Sequence, residues 1–195
     1  MDSRVIMFHV IGLVGMPGAG KSTCIEHLQS GGAKIINMGD MVREQVTLAG
    51  LPITHENLGK MAEALREQRG HDVVAQLTAE KVAKIAEDGD LVIIDGLRSM
   101  HEVEFFRTQW QFPIVAVHSS PETRYARLRE RNREDDSPEP GYYEYRDARE
   151  LKFGIAEVIA MADEMIVNTS NTSEQELQDQ ASAAIDRLLN KVEEA

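Results

Sequence analysis

Residues 15–23 read GMPGAGKST and follow directly on the apolar run Val5–Val14. Gly15, four residues, then Gly20-Lys21-Ser22 fit the pattern G-x-x-x-x-G-K-[ST]. Glycine allows backbone angles closed to other residues and lets amide N–H groups approach an anion with no side chain between. The sequence that follows is helical in character, and a helix N-terminus adds free N–H groups and a partial positive charge. Lys21 is a point charge that can reach outer phosphates, and the Ser22 hydroxyl can ligate magnesium. A glycine-rich turn by chance would not need the strand before it and the helix after it, the context that confirms a phosphate-binding loop. Gly15, Gly18, Ala19, Gly20, Lys21, Ser22 and Thr23 are therefore the predicted donor-binding residues, with ATP and Mg²⁺ as the predicted cofactors. A dinucleotide fingerprint fits less well, because it leaves Lys21 and Ser22 without a role.

The loop requires a strand on one side and a helix on the other, and the rest of the chain repeats that alternation. Short, β-branched, continuous apolar runs occur at Val5–Val14, Ala33–Met38, Leu91–Asp95, Pro113–His118 and Glu164–Asn168. Strands buried on both faces of a parallel sheet read this way. Helical spacing appears at Leu58, Met61 and Leu65, and again through Leu177, Ala181, Ala184, Ile185, Leu188 and Val192. Ser99 with Glu102 and Ser173 with Glu176 have capping-box spacing, and Ser120-Pro121 reads as an N-cap before a first-turn proline. The expected fold is a three-layer α/β/α arrangement around a five-stranded parallel sheet, with right-handed crossovers. Arg133–Tyr145, REDDSPEPGYYEY, mixes charges, two prolines and a glycine and reads as a mobile loop.

With 195 residues the chain suits one domain, and its net charge of −12 argues against a general nucleic-acid or anionic-lipid surface. Val5–Val14 is too short to span a bilayer and lacks a cleavage signature, so a cytoplasmic protein is expected. Cys24 is the only cysteine, which excludes an intrachain disulfide; a buried apolar role is expected. The histidines show no metal-ligand spacing. Trp110, Phe105 and Phe106 read as core, and Tyr142, Tyr143 and Tyr145 as a lid contact or a partner patch. The sequence does not determine the oligomeric state.

Three classes of phosphate-binding protein stay open: a nucleotide kinase, a GTP switch, and an ATPase or nucleotide-binding regulatory module without a small acceptor. A switch needs a guanine-reading N-K-x-D segment, and none is present. A kinase needs an acceptor site and a closable, arginine-bearing lid that excludes water. Arg124, Arg127, Arg129, Arg131 and Arg133 precede the irregular patch and meet the second need. A solvated helix face paired to Glu122, Glu130 and Glu134 is the plainer account of any one of them.

INMGDMVREQ, Ile36–Gln45, resembles the acceptor segment of adenylate kinases, and VIIDGLRS, Val92–Ser99, resembles their strand-end Asp-Gly-x-x-Arg. ADEMIVNTS, Ala162–Ser170, is similar to the last strand of dephospho-coenzyme A kinases. The whole pattern is most similar to an archaeal group of kinase-like P-loop proteins related to both. The resemblance implies a nucleoside monophosphate kinase-like fold with a short lid at about 124–147 and an acceptor-binding subdomain at about 40–70. It implies acceptor contacts from Arg43, Arg98, Arg133 and Arg146, and lid contacts to the phosphates from Arg127 and Arg131. It places Asp95 with Ser22 near magnesium. Asp40 is either a base for a hydroxyl acceptor or a simple helix cap. Asn168 and Thr169 either border the donor base or form an ordinary turn. The chain departs from adenylate kinases at Leu97, where they carry proline, and in lacking their long lid. It departs from dephospho-coenzyme A kinases at DGLRS. If Arg43 grips the acceptor, Arg43→Ala raises the acceptor KM more than the donor KM in steady-state kinetics; the reverse pattern misplaces the pocket.

Overall fold

The computed structural model describes residues 7–131 and 141–193. Strands β1 (His9–Val14), β2 (Lys34–Asn37), β3 (Leu91–Asp95), β4 (Ile114–His118) and β5 (Glu164–Val167) alternate with helices. All pairings are parallel, in the order β2-β3-β1-β4-β5. The strand period of two divides the apolar residues between the two faces. Val10, Val14, Val92, Ile94, Ile114 and Ala116 belong to one buried cluster, and Ile11, Leu13, Ile93, Val115 and Val117 to the other.

The first face is covered by α2 (Met38–Leu48), α3 (His55–Arg69), α4 (Val73–Ile85), α5 (Met100–Gln109) and α8 (Ile155–Ala160). Phe106 is fully buried there and packs on Phe112 with ring centroids 4.8 Å apart, with Phe105 and Trp110 beside it. The second face is covered by α1 (Lys21–Ser30) and α9 (Glu174–Glu193). Leu177, Ala181, Ala184, Ile185 and Leu188 of α9 are buried, as their spacing predicts. Cys24 is fully buried, and burial pushes its thiol up to about 11, so it is protonated and unreactive at neutral pH. No helix among the described residues is long and apolar enough to cross a membrane.

Three expectations need correction. The strand expected at Ala33–Met38 ends at Asn37, because Met38 already opens α2. The helix cap there is Asn37, whose side chain accepts from the Gly39 amide at 2.8 Å, so Asp40 is not the cap. The irregular patch expected at Arg133–Tyr145 is helical from Tyr142, where α7 (Tyr142–Lys152) begins; residues 132–140 lie outside the described residues. Helix α7 buries Tyr143, Asp147 and Glu150, a stripe at i, i+4 and i+7 that is two-thirds acidic and so unlike an apolar face.

The caps are as expected. Ser173 and Glu176 exchange backbone and side-chain bonds before α9, and Ser120 Oγ accepts from the Thr123 amide before α6 (Pro121–Arg131). Glu102, 2% exposed, accepts from the amides of Arg98 at 2.8 Å and Ser99 at 3.3 Å. Burial raises its carboxyl above the usual 4.5, against the pull of those amides and Arg66. A carboxyl raised on folding adds stability below its unfolded value and loses that contribution as pH rises through its folded value. Glu102→Gln keeps the cap without the charge. Relative to this variant, the wild type is expected to lose stability as pH rises above the usual 4.5, measured by urea unfolding. A pH-independent difference would contradict it.

Candidate active site

The glycine-rich loop after β1, Asn37 at the end of β2, Asp95 at the end of β3 and Asn168 after β5 lie at the carboxyl edge of the sheet, where open α/β sheets bind ligands. The loop after β1 leads into α1 through Gly20, at φ 108°, a left-handed conformation that disfavours a side chain. A Cβ there would also strike the Asn168 amide, and one on Gly15 would strike the Val117 carbonyl. No side chain caps α1, so its first-turn amides at Lys21, Ser22 and Thr23 are left for a ligand.

The loop's carbonyls are held from outside. Lys21 Nζ donates to the Gly15 carbonyl at 2.7 Å, Arg124 Nη1 to Pro17 at 3.0 Å, and Asn168 Nδ2 to Ala19 at 2.8 Å. Alternate carbonyls are thus tied by three side chains from α1, α6 and the end of β5. Arg124 is 3% exposed and makes a two-pronged ion pair with Asp147 of α7, to which Tyr125 also donates at 2.9 Å. Arg124 is therefore a strut between the loop and α7, and its partner is not one of the glutamates considered from sequence.

Asp95 ends β3 and is buried. Its Oδ2 accepts from Asn37 Nδ2 at 2.9 Å, across the β2–β3 register pair Asn37–Asp95. Its Oδ1 is buried with no hydrogen-bond partner. Such an oxygen calls for a donor or cation. No group of three His, Cys, Asp or Glu forms a metal cage among the described residues. The donor set fits magnesium of the kind carried on phosphates, for which Asp95 and the exposed Ser22 hydroxyl would be the protein oxygens.

Lys21 senses this neighbourhood. Burial draws its ammonium below the usual range, Asp95 and Glu150 pull it back up, and Arg98 and Arg146 push it down. The structure thus brings together four predicted residues, Lys21, Asp95, Arg98 and Arg146, with one unpredicted, Glu150. Arg98 lies with its Nε 3.5 Å from Glu150 Oε2 and its guanidinium over the Phe153 ring at 5.6 Å. Asp40 and Arg43 are bonded to each other at 2.6 Å on exposed α2. Arg127 donates to Asn168 Oδ1 at 2.9 Å and to the Thr169 carbonyl at 2.7 Å, so it lies against the turn after β5. Arg131 is exposed at the end of α6, and Arg133 lies outside the described residues.

Sequence reasoning missed Asn37, Asp147 and Glu150. Asn37 carried a signal, an N-cap residue before a helix. Asp147 and Glu150 carried none, since charged residues on a helix ordinarily read as solvated.

Residues 11–152 match a family model described as an AAA domain. The chain is 44% identical over 170 residues to a UPF0200 protein of Thermococcus onnurineus, covering 86% of this chain and 92% of that one. It is 39% identical over 184 residues to a UPF0200 protein of Methanocaldococcus jannaschii, covering 94% and 92%. The chain belongs to the UPF0200 family of AAA-domain proteins. Among solved structures it is similar to TT1252 from Thermus thermophilus, with TM-score 0.62 and 20% identity over 93% of this chain and 97% of that one. It is also similar to shikimate kinase from Bacteroides thetaiotaomicron, with TM-score 0.57 and 17% identity over 93% and 98%. A gluconokinase from Sinorhizobium meliloti gives 0.55 and 16% over 94% and 95%. The fold is that of P-loop kinases.

Removing one partner of a buried ion pair leaves the other charged and unsolvated, at a cost of about 3–5 kcal/mol. Arg124→Ala should lose about that much in urea unfolding, and Arg124→Met with Asp147→Leu should recover most of it. A loss below about 1 kcal/mol in the single variant would contradict the strut.

Proposed function

We propose that this chain transfers the γ-phosphoryl group of ATP, with magnesium, to a small nucleotide-like acceptor, a nucleoside monophosphate or dephospho-coenzyme A. The observation that carries the reading is the convergence of Lys21, Asp95, Arg98 and Arg146 at the uncapped N-terminus of α1. A pure ATP-binding module has no need of Arg98 at the end of β3. The solved neighbours named as shikimate kinase and gluconokinase support a small-molecule acceptor.

In this reading the first-turn amides and Lys21 hold the β- and γ-phosphates. The ammonium leaves the Gly15 carbonyl for an anion that restores the charge balance disturbed by burial. Asp95 and Ser22 would hold magnesium, which would supply positive charge to offset that of the phosphates. Arg43, Arg98, Arg133 and Arg146 serve the acceptor, and Arg127 and Arg131 belong to a short lid at about 124–147. The region at about 40–70 carries the acceptor. An acceptor oxygen attacks the γ-phosphorus, the bond to the β–γ bridging oxygen breaks, and ADP leaves. A phosphate acceptor surrenders no proton. A hydroxyl acceptor does, and Asp40 would take it once its bond to Arg43 opens. A cytoplasmic setting would supply the ATP and magnesium that this reading requires.

The test is ADP release from Mg–ATP with a panel of nucleoside monophosphates and dephospho-coenzyme A. Stimulation by at least one is expected. Steady hydrolysis that no acceptor accelerates would make the protein an ATPase, and altered protein binding on nucleotide exchange without transfer would make it a regulatory module. Lys21→Ala should lower turnover at least 100-fold while leaving the circular dichroism spectrum unchanged; undiminished turnover would remove Lys21 from the mechanism.

A further inference from the structure

Glu150 is out of keeping with a site built for phosphates. It is 6% exposed, on the inner face of α7, and its charge acts on Lys21 beside that of Asp95. A carboxylate near the phosphate-holding lysine repels the very ligand the site is made for, and a buried charge is costly unless it is partnered. Its partners explain its presence. Oε2 lies 3.5 Å from Arg98 Nε, and Oε1 lies 3.6 Å from Arg149 Nη2. The ion-pair contact with Arg98 is at Nε, the nitrogen nearest the aliphatic stem. The Cζ of the same guanidinium lies over the ring of Phe153, 5.6 Å from its centroid, and Phe153 closes α7. Glu150 in the last turn of α7 and Phe153 at its cap thus both meet the Arg98 guanidinium.

We infer that Glu150 is a positioning residue: with Phe153 it fixes Arg98 so that its terminal nitrogens meet the acceptor's phosphate. This rests on the kinase reading above. Arginine binds phosphate well when its planar fork is already oriented, because less rotamer freedom is then lost on binding. Asp147, on the same face of α7, is joined to Arg124 and through it to the Pro17 carbonyl. The helix therefore relates the acceptor-side arginine to the donor loop at a fixed separation.

The experiment compares the wild type with Glu150→Gln, Glu150→Asp, Phe153→Leu, Arg98→Ala and Glu150→Gln/Arg98→Ala, using the acceptor of the panel that gives most ADP. Acceptor binding to enzyme saturated with a non-hydrolysable ATP analogue is measured in parallel by thermal shift. Glu150→Gln is expected to raise the acceptor KM about tenfold, with the Mg–ATP KM and kcat within about twofold. Phe153→Leu should act in the same direction, Glu150→Asp should restore part of the loss, and the double variant should be no worse than Arg98→Ala. Continued stabilisation by Mg–ATP shows that each variant is folded. If Glu150→Gln does not fold, Phe153→Leu, altered at a partly exposed position, decides alone. Wild-type binding or turnover of an acceptor that these variants leave untouched overturns the inference while the kinase reading stands. A panel that is neither bound nor turned over by the wild type overturns both.

Discussion

Three hydrogen bonds to carbonyl oxygens make the ligand site. A glycine-rich loop is free to turn its amides in many directions, and its usefulness depends on that freedom being taken away. Here Gly15, Pro17 and Ala19 each have the carbonyl tied down by a side chain, from Lys21, Arg124 and Asn168 respectively. A peptide plane fixed on its carbonyl side has its amide fixed too. The donors lie up to 149 residues in sequence from the carbonyls they hold, so the loop takes its form only in the completed fold. Two of the ties are permanent in character, a buried guanidinium and a buried amide. The third, from Lys21, is the one a phosphate would displace in the proposed reaction.

Charge is distributed in the same spirit. The surface is acidic overall, yet the carboxyl edge of the sheet gathers Lys21, Arg98 and Arg146 around two buried carboxylates, Asp95 and Glu150. Without those carboxylates the cluster would repel itself. With both carboxylates fully hydrogen-bonded it would have no affinity left over for a cation. Asp95 has one oxygen satisfied by Asn37, which holds it in register, and one without a hydrogen-bond partner.

The sequence made the scaffold and the loop legible because both rest on local rules. Strand runs separate at period two into two faces, and caps such as Ser99-Glu102 and Ser173-Glu176 obey short spacings. The boundaries at Asn37 and Tyr142 were not legible from apolar content. At Asn37 one residue ends a strand, caps a helix and steadies Asp95 all at once. At Tyr142 a helix buries charges, and a buried charge looks like a surface charge until its partner is known. Asp147 needs Arg124 and Glu150 needs Arg98, pairs that lie 23 and 52 residues apart in sequence. Arg43 and Arg98 were found by likeness to other chains, and their settings, one bonded to Asp40 and one lodged against α7, emerged only in three dimensions.

The family match stops at residue 152, yet β5 and α9 come after it. β5 pairs only with β4 and ends at Asn168, the donor to Ala19 and the acceptor for Arg127. Helix α9 supplies much of the lining over Ile11, Leu13 and Val115. Residues 11–152 by themselves therefore lack the donor to the Ala19 carbonyl and the α9 cover of the second face. Shorn of its last 43 residues it would keep the glycines and the lysine in sequence, with one wall of the nucleotide cradle gone and half the sheet's second face wet.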